Sequence, residues 1–388
     1  MKSSTHAMDD AGQARCPLCR AEACLTLLDR PKVAALSNRC YATREAARAA
    51  PCGQLKLVQC AACGFVFNCR FDPALINYDT DYESDQSGSP RFTRHLDEIR
   101  ARLLSFTTGR KARIMEIGCG QGDLLEVLVE QGIDRIRAVG YDTTWRHRPL
   151  PPGLRIEATA FGAAPRTERS DFDLVLTRHV IEHVADPVGL LRHMAAAMGP
   201  SGRVCIETPA LEWIIAGNQM QDFFYEHCNY FTATSLTDAC RRAGLGNVRV
   251  ETTFAGQYLW AEAQATTETS SPAPVVGDYC LDAQFFARWR TTLLARTGTG
   301  AIALWGAGAK GVTFAAETDP SATLIACLID VNPNKQGKFV GRSGHPVVSP
   351  AAAADFEICA IVVMNPNYHE EIAGMADAVG LHVPLLPC

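Results

Sequence analysis

Residues 113–123 read RIMEIGCGQGD, a short apolar strand that runs into a glycine-rich turn and then into a helix. Glycines allow the backbone to turn sharply and to approach a ligand at the helix N-terminus. A dinucleotide fingerprint requires glycine at its first, third and sixth positions, and here the sixth position is Asp123. The turn therefore disfavours a pyrophosphate, and Glu116 at the strand end suits a cationic or amino-bearing ligand.

The sequence around this turn alternates strands with helices. Helical patterns separate four apolar runs, and two adjacent strands follow them: 113–117, 136–141, 172–177 and 203–207, then 248–254 and 258–263. Such alternation predicts βαβ units and a parallel sheet that is buried on both faces. Asp142 ends the second strand, where a carboxylate can hold both hydroxyls of a ribose.

A second glycine-rich turn occurs near the C-terminus. Residues 306–311 read GAGAKG, follow a strand predicted at 301–305 and satisfy the dinucleotide pattern, and Asp330 ends the next strand. Alone, this pattern would indicate NAD and an oxidoreductase, with Lys310 placed where a cation could meet a phosphate. The alternative is that the glycines only permit a tight turn and close helix–strand packing. The sequence leaves both interpretations open.

Two CxxC pairs lie near the N-terminus, Cys16 with Cys19 and Cys60 with Cys63. Two thiolates on one tight turn converge on one ion, and two such turns complete a tetrahedral site of four sulfurs. A redox-active CxxC would require a thioredoxin-like strand–helix context, which the flanking residues lack. We therefore expect a closed, structural zinc site.

The whole chain of 388 residues has the composition of a globular protein, with 47% hydrophobic and 20% charged residues. Its patterning predicts an α/β protein of three domains, with a zinc-binding domain at 1–88 and doubly wound domains at 89–268 and 269–388, joined by a polar linker at 265–277. The net charge of −5 argues against a nucleic-acid partner. Because no apolar run reaches the length of a membrane span and residues 1–10 lack the hydrophobic core of a secretory signal, we expect a cytoplasmic protein without a membrane partner.

The central motifs resemble those of the class I S-adenosylmethionine-dependent methyltransferases, whose first motif is an acidic residue followed by GxGxG. Besides the first turn, the resemblance rests on residues 172–184 (FDLVLTRHVIEHV) and 198–204 (MGPSGRV). It implies a Rossmann-like domain with S-adenosylmethionine as its cofactor. The implied binding residues are Glu116, Gly118, Cys119, Gly120 and Asp142.

The order of the three parts resembles the bacterial nucleotide-sugar C-methyltransferases that make branched deoxysugars. Residues 221–231 (QDFFYEHCNYF) look like that family's Glu-His-x-x-Tyr-Phe segment, and residues 330–338 (DVNPNKQGK) look like part of its C-terminal domain. The family moves a methyl group from S-adenosylmethionine to carbon 3 of a dTDP-4-keto sugar. The resemblance therefore implies a small-molecule partner and a Rossmann-like C-terminal domain that binds the substrate, with Lys310 as a contact.

The same resemblance implies catalytic roles for four residues. His227 would be the base that removes a carbon-bound proton, with Glu226 as its neighbour, and His183 would polarise the ketone. Tyr82 would reach the site from the N-terminal domain. The family commonly has a tyrosine two positions before the glutamate, where this chain has Phe224.

Three other functions remain open on the sequence alone. An O-methyltransferase acting on a sugar or another small hydroxyl compound is the main alternative, because the departures from the family remove hydroxyls from the presumed sugar pocket. A methyltransferase for RNA or protein could use the zinc module as a reader. An NAD-binding oxidoreductase or binding protein would use residues 306–311. The sequence does not indicate an oligomeric state.

Overall fold

The computed structural model describes residues 15–79, 81–83, 88–132, 134–161, 171–266, 275–296, 298 and 300–388. The polar start of the chain and most of the predicted linker at 265–277 lie outside these ranges. The α/β class is confirmed, because helices pack against a seven-stranded and a five-stranded sheet, and a four-stranded sheet is built mainly from the N-terminal part of the chain. Of the described helices, none has both the length and the apolar character needed to cross a bilayer.

The N-terminal sheet is antiparallel and follows the first CxxC pair. Its part of the chain contains β1 (Cys24–Ala34), β2 (Cys40–Tyr41), α1 (Arg44–Arg48), β3 (Cys52–Cys60) and β4 (Val66–Asn68). β3 pairs with β1 on one side and with β4 on the other. The second CxxC pair therefore lies at the turn between β3 and β4.

A long helix, α2 (Pro90–Ser105), connects this sheet to the central domain. It begins at Ser89, whose hydroxyl accepts a hydrogen bond from the Phe92 backbone N–H at 3.1 Å. Proline suits the first helical position because an N–H there would find no acceptor within the helix, and proline has none. The helix buries Phe92, His95, Ile99 and Leu103 along one face.

The central domain is a seven-stranded sheet in the order β11-β12-β9-β8-β5-β6-β7. Its elements are β5 (Ala112–Ile117), α3 (Asp123–Gln131), β6 (Ile136–Tyr141), β7 (Leu154–Glu157), β8 (Phe172–Arg178), α4 (Pro187–Ala197), β9 (Met198–Pro209), α5 (Leu211–Ala216), β10 (Asn229–Tyr230), α6 (Ala233–Arg242), β11 (Leu245–Thr253) and β12 (Tyr258–Ala265). β5 to β9 run parallel, and β12 lies antiparallel between β9 and β11. The carboxyl ends of β5, β6 and β8 therefore meet at one edge, where open α/β sheets bind ligands.

The C-terminal domain is a parallel five-stranded sheet in the order β16-β14-β13-β17-β18. Its elements are α7 (Phe285–Leu294), β13 (Ala301–Trp305), α8 (Ala309–Thr318), β14 (Ile325–Ile329), β15 (Phe339–Val340), β16 (Val347–Val348), α9 (Pro350–Ala353), β17 (Ile358–Val363), α10 (His369–Ala378) and β18 (Leu385–Pro387). Short 3-10 helices occur at Pro73–Leu75, Ile181–His183, Met220–Asp222, Ala354–Phe356 and Pro366–Tyr368.

Strands of the N-terminal part pair with strands from the other two parts of the chain: β10 completes the four-stranded sheet, and β15 forms a separate two-stranded sheet with β2. β10, in the central part, pairs antiparallel with β4, and β15, in the C-terminal part, pairs antiparallel with β2. A boundary at residue 88 therefore does not enclose all the strands around the N-terminal sheet. The reason is that an open strand edge exposes unpaired backbone groups, and a partner can come from anywhere in the chain.

Candidate active site

The first glycine turn, residues 116–123, joins β5 to α3 at the carboxyl edge of the central sheet. Asp142 holds it from the next strand, because Oδ2 accepts a hydrogen bond from the Gly120 N–H at 2.7 Å. Its Oδ1 accepts from both the N–H and the hydroxyl of Thr144, at 2.7 and 2.6 Å. A carboxylate has about four acceptor positions, so one remains for a ligand hydroxyl, and a second ribose hydroxyl requires the Thr144 hydroxyl to turn away.

The glycines of this turn differ in the space around them. A Cβ on Gly118 would lie 2.1 Å from Cγ2 of Val180, so a neighbouring side chain fills that space. A Cβ on Gly120 would meet nothing within 4 Å, although its φ of +55° also favours glycine. The Cys119 side chain packs against Gly140, where an added Cβ would lie 2.4 Å from its sulfur. The open space of the turn is therefore at Gly120.

Glu116 is buried at the floor of this turn, with 2% of its surface exposed. Burial raises the pKa of its carboxyl to about 7, and the nearby Arg178 opposes this rise. Its Oε2 has no hydrogen-bond partner among the described residues. A buried carboxylate oxygen without a partner suits a cationic or amino group, so the residues present fit S-adenosylmethionine.

We use the name histidine pocket for Tyr78, Tyr82, His183, Glu226 and His227. The Tyr82 hydroxyl donates to Oε2 of Glu226 at 2.6 Å, and the Ser37 backbone N–H donates to Oε1 at 2.5 Å. Both oxygens of Glu226 are thus engaged by the N-terminal part of the chain. The sequence places Glu226 beside His227 along the chain, and in the structure its carboxylate positions Tyr82.

The two histidines of the pocket lie ring to ring. The His183 and His227 centroids are 4.7 Å apart and nearly perpendicular, and the Tyr78 hydroxyl is 2.8 Å from Nδ1 of His183. Burial lowers the pKa of His227 well below its usual value, and His183, His179 and Lys310 lower it further. The His227 ring is therefore neutral at neutral pH. Candidate donor and acceptor atoms of Glu182, His183 and His227 lie within 4.8 Å of one another.

The aromatic side chains before Glu226 point in different directions. The Phe224 ring packs on His227 with centroids 4.0 Å apart. The buried Tyr225 extends towards the N-terminal sheet, where its hydroxyl accepts a hydrogen bond from the Asp72 N–H at 2.7 Å. Tyr225 therefore does not replace, next to His227, the hydroxyl that Phe224 lacks.

A buried charge cluster lies between the first glycine turn and the histidine pocket, formed by His95, Arg178, His179, Glu182 and Glu207. Nε2 of His95 is 2.6 Å from Oε1 of Glu207, and Nε of Arg178 donates to Oε2 at 2.8 Å. Although burial opposes it, Arg178, with help from His179 and His95, holds the pKa of Glu207 well below its usual range. The sequence motifs assign no role to Arg178, His179 or Glu207. The available signal was a glutamate inside an apolar strand, which requires a buried partner.

Tyr78 and Ser37 were also missed, for a simple reason. Both contact the pocket through folding of the N-terminal part, and neither lies in a recognisable motif. The one local hint was that Tyr78 lies close to Tyr82 along the chain. The two rings lie 4.8 Å apart, edge to face.

Lys310 lies at the start of α8, where the second glycine turn ends. Its Nζ is 2.8 Å from Oδ2 of Asp222 in the central part and 4.6 Å from the centroid of Trp213. The side chain is only 16% exposed. The ammonium group is therefore already paired across the boundary between two domains, so a phosphate at Lys310 would have to displace Asp222.

The second glycine turn packs tightly at its last glycine. A Cβ on Gly311 would lie 1.9 Å from the carbonyl oxygen of Gly306. Nζ of the buried Lys335 donates to the Ala307 carbonyl at 3.3 Å. These contacts favour the interpretation that the glycines serve close packing of α8 on β13.

The four cysteines of the CxxC pairs converge. The Cys16 and Cys63 sulfurs are 3.6 Å apart, and the Cys19 and Cys60 sulfurs are 3.5 Å apart. Four sulfurs about 2.3 Å from one zinc ion would be separated by about 3.8 Å, so the thiol cluster fits a tetrahedral site. It shares an apolar core with the central domain, where Phe65 packs on Phe231 at 5.1 Å.

Comparison with known proteins agrees with this arrangement. Residues 90–250 match a methyltransferase domain, and residues 288–380 match a C-methyltransferase C-terminal domain. The C-methyltransferase NovU of Streptomyces niveus is 26% identical over 320 residues, which are 74% of this chain and 74% of that protein. A ubiquinone biosynthesis O-methyltransferase of Cereibacter sphaeroides is 31% identical over 157 residues, 35% of this chain and 61% of that protein.

The fold and these matches lead to one conclusion. At its carboxyl edge, the seven-stranded sheet carries the first glycine turn, whose residues fit S-adenosylmethionine. The matched C-terminal domain adds a second sheet. The chain is therefore an S-adenosylmethionine-dependent methyltransferase of the class I fold, and over most of its length it is similar to a C-methyltransferase.

Proposed function

We propose that this enzyme methylates carbon 3 of a nucleotide-linked 4-keto sugar in the cytoplasm, through an enolate formed by His227. The observation that carries the proposal is the ring-to-ring contact of His183 with a neutral His227 in one pocket. The sugar class rests on the motifs around Glu226 and His227 that resemble the sugar C-methyltransferases. The likeness to NovU over most of the chain supports methylation on carbon.

His227 supplies the base. A carbon next to a ketone becomes nucleophilic only after it loses a proton, and a base must be unprotonated to take it. Burial keeps the imidazole of His227 in that form at neutral pH. The proton moves from carbon 3 to the ring, and the C–H electron pair becomes the enolate.

His183 supplies the stabilising hydrogen bond. When the Tyr78 hydroxyl donates to Nδ1 of His183, the ring proton lies on Nε2 and faces away from Tyr78. That N–H can donate to the ketone oxygen, where negative charge develops. Glu226 acts one step away, because it fixes the hydroxyl of Tyr82 at the edge of the pocket.

The first glycine turn would hold the methyl donor. S-adenosylmethionine supplies an electrophilic methyl group on its sulfonium. Glu116 would pair with the amino group, Asp142 would accept from the ribose, and the open space at Gly120 would admit the ligand. The enzyme's contribution to transfer is then to hold the enolate carbon in line with that methyl group.

The C-terminal domain, with the boundary we place near residue 269, would bind the nucleotide part of the substrate. Lys310 remains the candidate contact, at the cost of its ion pair with Asp222. If a Lys310→Met variant binds the nucleotide diphosphate as tightly as the wild type does, Lys310 does not have this role.

Solvent exchange at carbon 3 tests the mechanism. Wild type and His227→Ala are incubated with a dTDP-4-keto sugar in deuterated water, and the carbon 3 proton is followed by NMR. We expect exchange and methylation in the wild type, and a loss of both by roughly 10²–10⁴-fold in the variant. Donor affinity, measured by calorimetry, should be nearly unchanged, because the donor turn is on other loops. An active His227→Ala enzyme would move the base role to His183.

Methylation on oxygen is the second candidate. It is favoured by the missing hydroxyl at Phe224 and by the likeness of part of the chain to an O-methyltransferase. In that case the wild type shows no exchange at carbon 3, and the product carries an O-methyl signal.

We also propose that the thiol cluster binds one structural zinc ion. Elemental analysis of purified protein should give one zinc per chain. Cys19→Ser should lose the metal and destabilise the N-terminal sheet, because metal binding and folding are coupled. The matched control is Cys280→Ser, an exposed cysteine outside the cluster, which should keep the metal. A folded, active wild type without zinc would contradict this proposal.

A further inference from the structure

His179 occupies an unusual position in the buried charge cluster. It directly follows β8 and opens the loop that carries Glu182 and His183, and its φ of +53° is left-handed, which is uncommon for a residue other than glycine. Nδ1 lies 3.5 Å from Oε1 of Glu182, and Nε2 lies 3.5 Å from Oε2 of Glu207. Such a strained backbone persists only where surrounding contacts determine it.

Both ring nitrogens of His179 therefore face carboxylates that are almost fully buried, with side-chain exposures of 1% for Glu182 and 0% for Glu207. Burial alone would lower the pKa of His179, but the two carboxylates outweigh burial and raise it to about 9. The ring is thus an imidazolium at neutral pH. Together, Arg178 and His179 provide two positive charges opposite two carboxylates.

We propose that His179 is a positioning residue for the base: its positive charge offsets Glu182 and Glu207, and so adds to burial in keeping His227 in its unprotonated form. This inference rests on the proposed function, in which His227 removes the proton. At 3.5 Å both contacts are ion pairs, and Nε2 makes no hydrogen bond to a described residue. His179 acts through the charges around His227 and not by contact with the reacting atoms.

The direction of the effect follows from the groups around both histidines. Side-chain atoms of Glu182 and His183, both from the loop after β8, lie within 4.8 Å of the His227 ring nitrogens. The positive charges of His179, and of Lys310 on α8, also act on this ring, and the uncharged rings of Phe224 and Tyr230 pack near it. His179 faces Glu182 on its own loop, Glu207 on β9 and the Tyr258 ring on β12, at 4.6 Å. If the positive charge of His179 is removed, it no longer offsets the negative charge of Glu182 near His227. A proton on His227 is then favoured, so the pKa of His227 rises.

The primary variant is His179→Asn. Asparagine tolerates left-handed backbone and carries no charge, so the loop keeps its path while the charge is lost. The rate of proton exchange at carbon 3 falls at low pH, where His227 becomes protonated. We expect this acid limb of the pH–rate profile to move up by about one pH unit in the variant. The double variant His179→Asn/Glu182→Gln removes one charge of each sign, and we expect it to return the limb towards the wild-type position. The matched control is His382→Asn, at a side chain that is 73% exposed, and it should leave the limb unchanged.

A second measurement separates this inference from the proposed function. NMR titration of the His227 ring, in ¹⁵N-histidine-labelled protein without acceptor, reports the pKa of His227 directly. An upward shift in His179→Asn supports the inference even if the wild type is found to methylate oxygen. An unchanged His227 titration overturns it, whatever the reaction. If His179→Asn does not fold, Glu182→Gln alone must lower the pKa of His227, and a failure to do so also overturns the proposal.

Discussion

The two glycine turns of this enzyme share one backbone design. In the central domain, Asp142 accepts from the Gly120 N–H at 2.7 Å and from the Thr144 N–H at 2.7 Å. In the C-terminal domain, Asp330 accepts from the Ala307 N–H at 2.8 Å and from the Asn332 N–H at 2.9 Å. In both, an aspartate after the second strand fixes the loop after the first strand.

The side chains around the two turns differ. Two positions before the first glycine, the central turn has Glu116 with an unpartnered oxygen, whereas the C-terminal turn has the buried, apolar Leu304. The central turn leaves open space at its middle glycine, Gly120, whereas a Cβ on the middle glycine of the C-terminal turn, Gly308, would lie 3.5 Å from Oδ1 of Asn38. A glycine motif thus defines a backbone path, and the neighbouring side chains determine whether a ligand can use it.

The largest expected effect comes from filling the C-terminal turn. Gly311→Ala places a Cβ against the Gly306 carbonyl, and we expect the free energy of unfolding to fall by roughly 3 kcal/mol, since a packed backbone cannot yield. Gly120→Ala is the matched change, where the Cβ enters open space and only the left-handed φ costs about 1 kcal/mol. Urea unfolding of both variants measures the difference. Equal losses would mean that the two turns are packed alike.

The next effect concerns Glu116 and depends on pH. The folded pKa of about 7 lies above the usual 4.5, so the folded state holds the proton more tightly, and stability falls as pH rises between these values. We expect Glu116→Gln to be more stable than the wild type by about 2 kcal/mol at pH 8 and to have no such advantage at pH 4.5. Thermal unfolding without the donor at both pH values measures this. A constant difference across the range would contradict a buried, ionising Glu116.

The smallest effect separates the two aspartates by their ligands. Asp142→Asn should weaken S-adenosylmethionine binding about tenfold, because a charged acceptor of the ribose becomes a neutral one. Asp330→Asn makes the same change in the same backbone setting and should leave the affinity unchanged. Calorimetry measures the affinity of both variants for S-adenosylmethionine. Equal losses of affinity would contradict the assignment of the donor site to the central turn.

The sequence was sufficient for features that depend on local order. Strand periodicity predicted β6 and β13 at the residues observed, and the paired CxxC spacing predicted which four sulfurs converge. These features need only neighbouring residues. The short β7 was missed because four residues carry too little periodicity to stand out.

Features that join distant residues could not be predicted. Nothing near Glu226 in the chain indicates that its carboxylate binds Ser37 and Tyr82, which lie 189 and 144 residues away. The contact of His95 with Glu207 spans 112 residues in the same way. The roles of His183 and His227 were predicted from a family resemblance, and their direct ring contact became visible only in the fold.

The pairing of N-terminal strands with strands from later parts of the chain has a consequence for folding during synthesis. The ribosome releases β1 to β4 first, but the edge of β4 stays unpaired until residues 229–230 emerge, and β2 waits for residues 339–340. During that interval, a chain with an open sheet edge is exposed to pairing with other nascent chains. For the same reason, an N-terminal part moved into a relative would depend on the strands of that relative to complete its pairing.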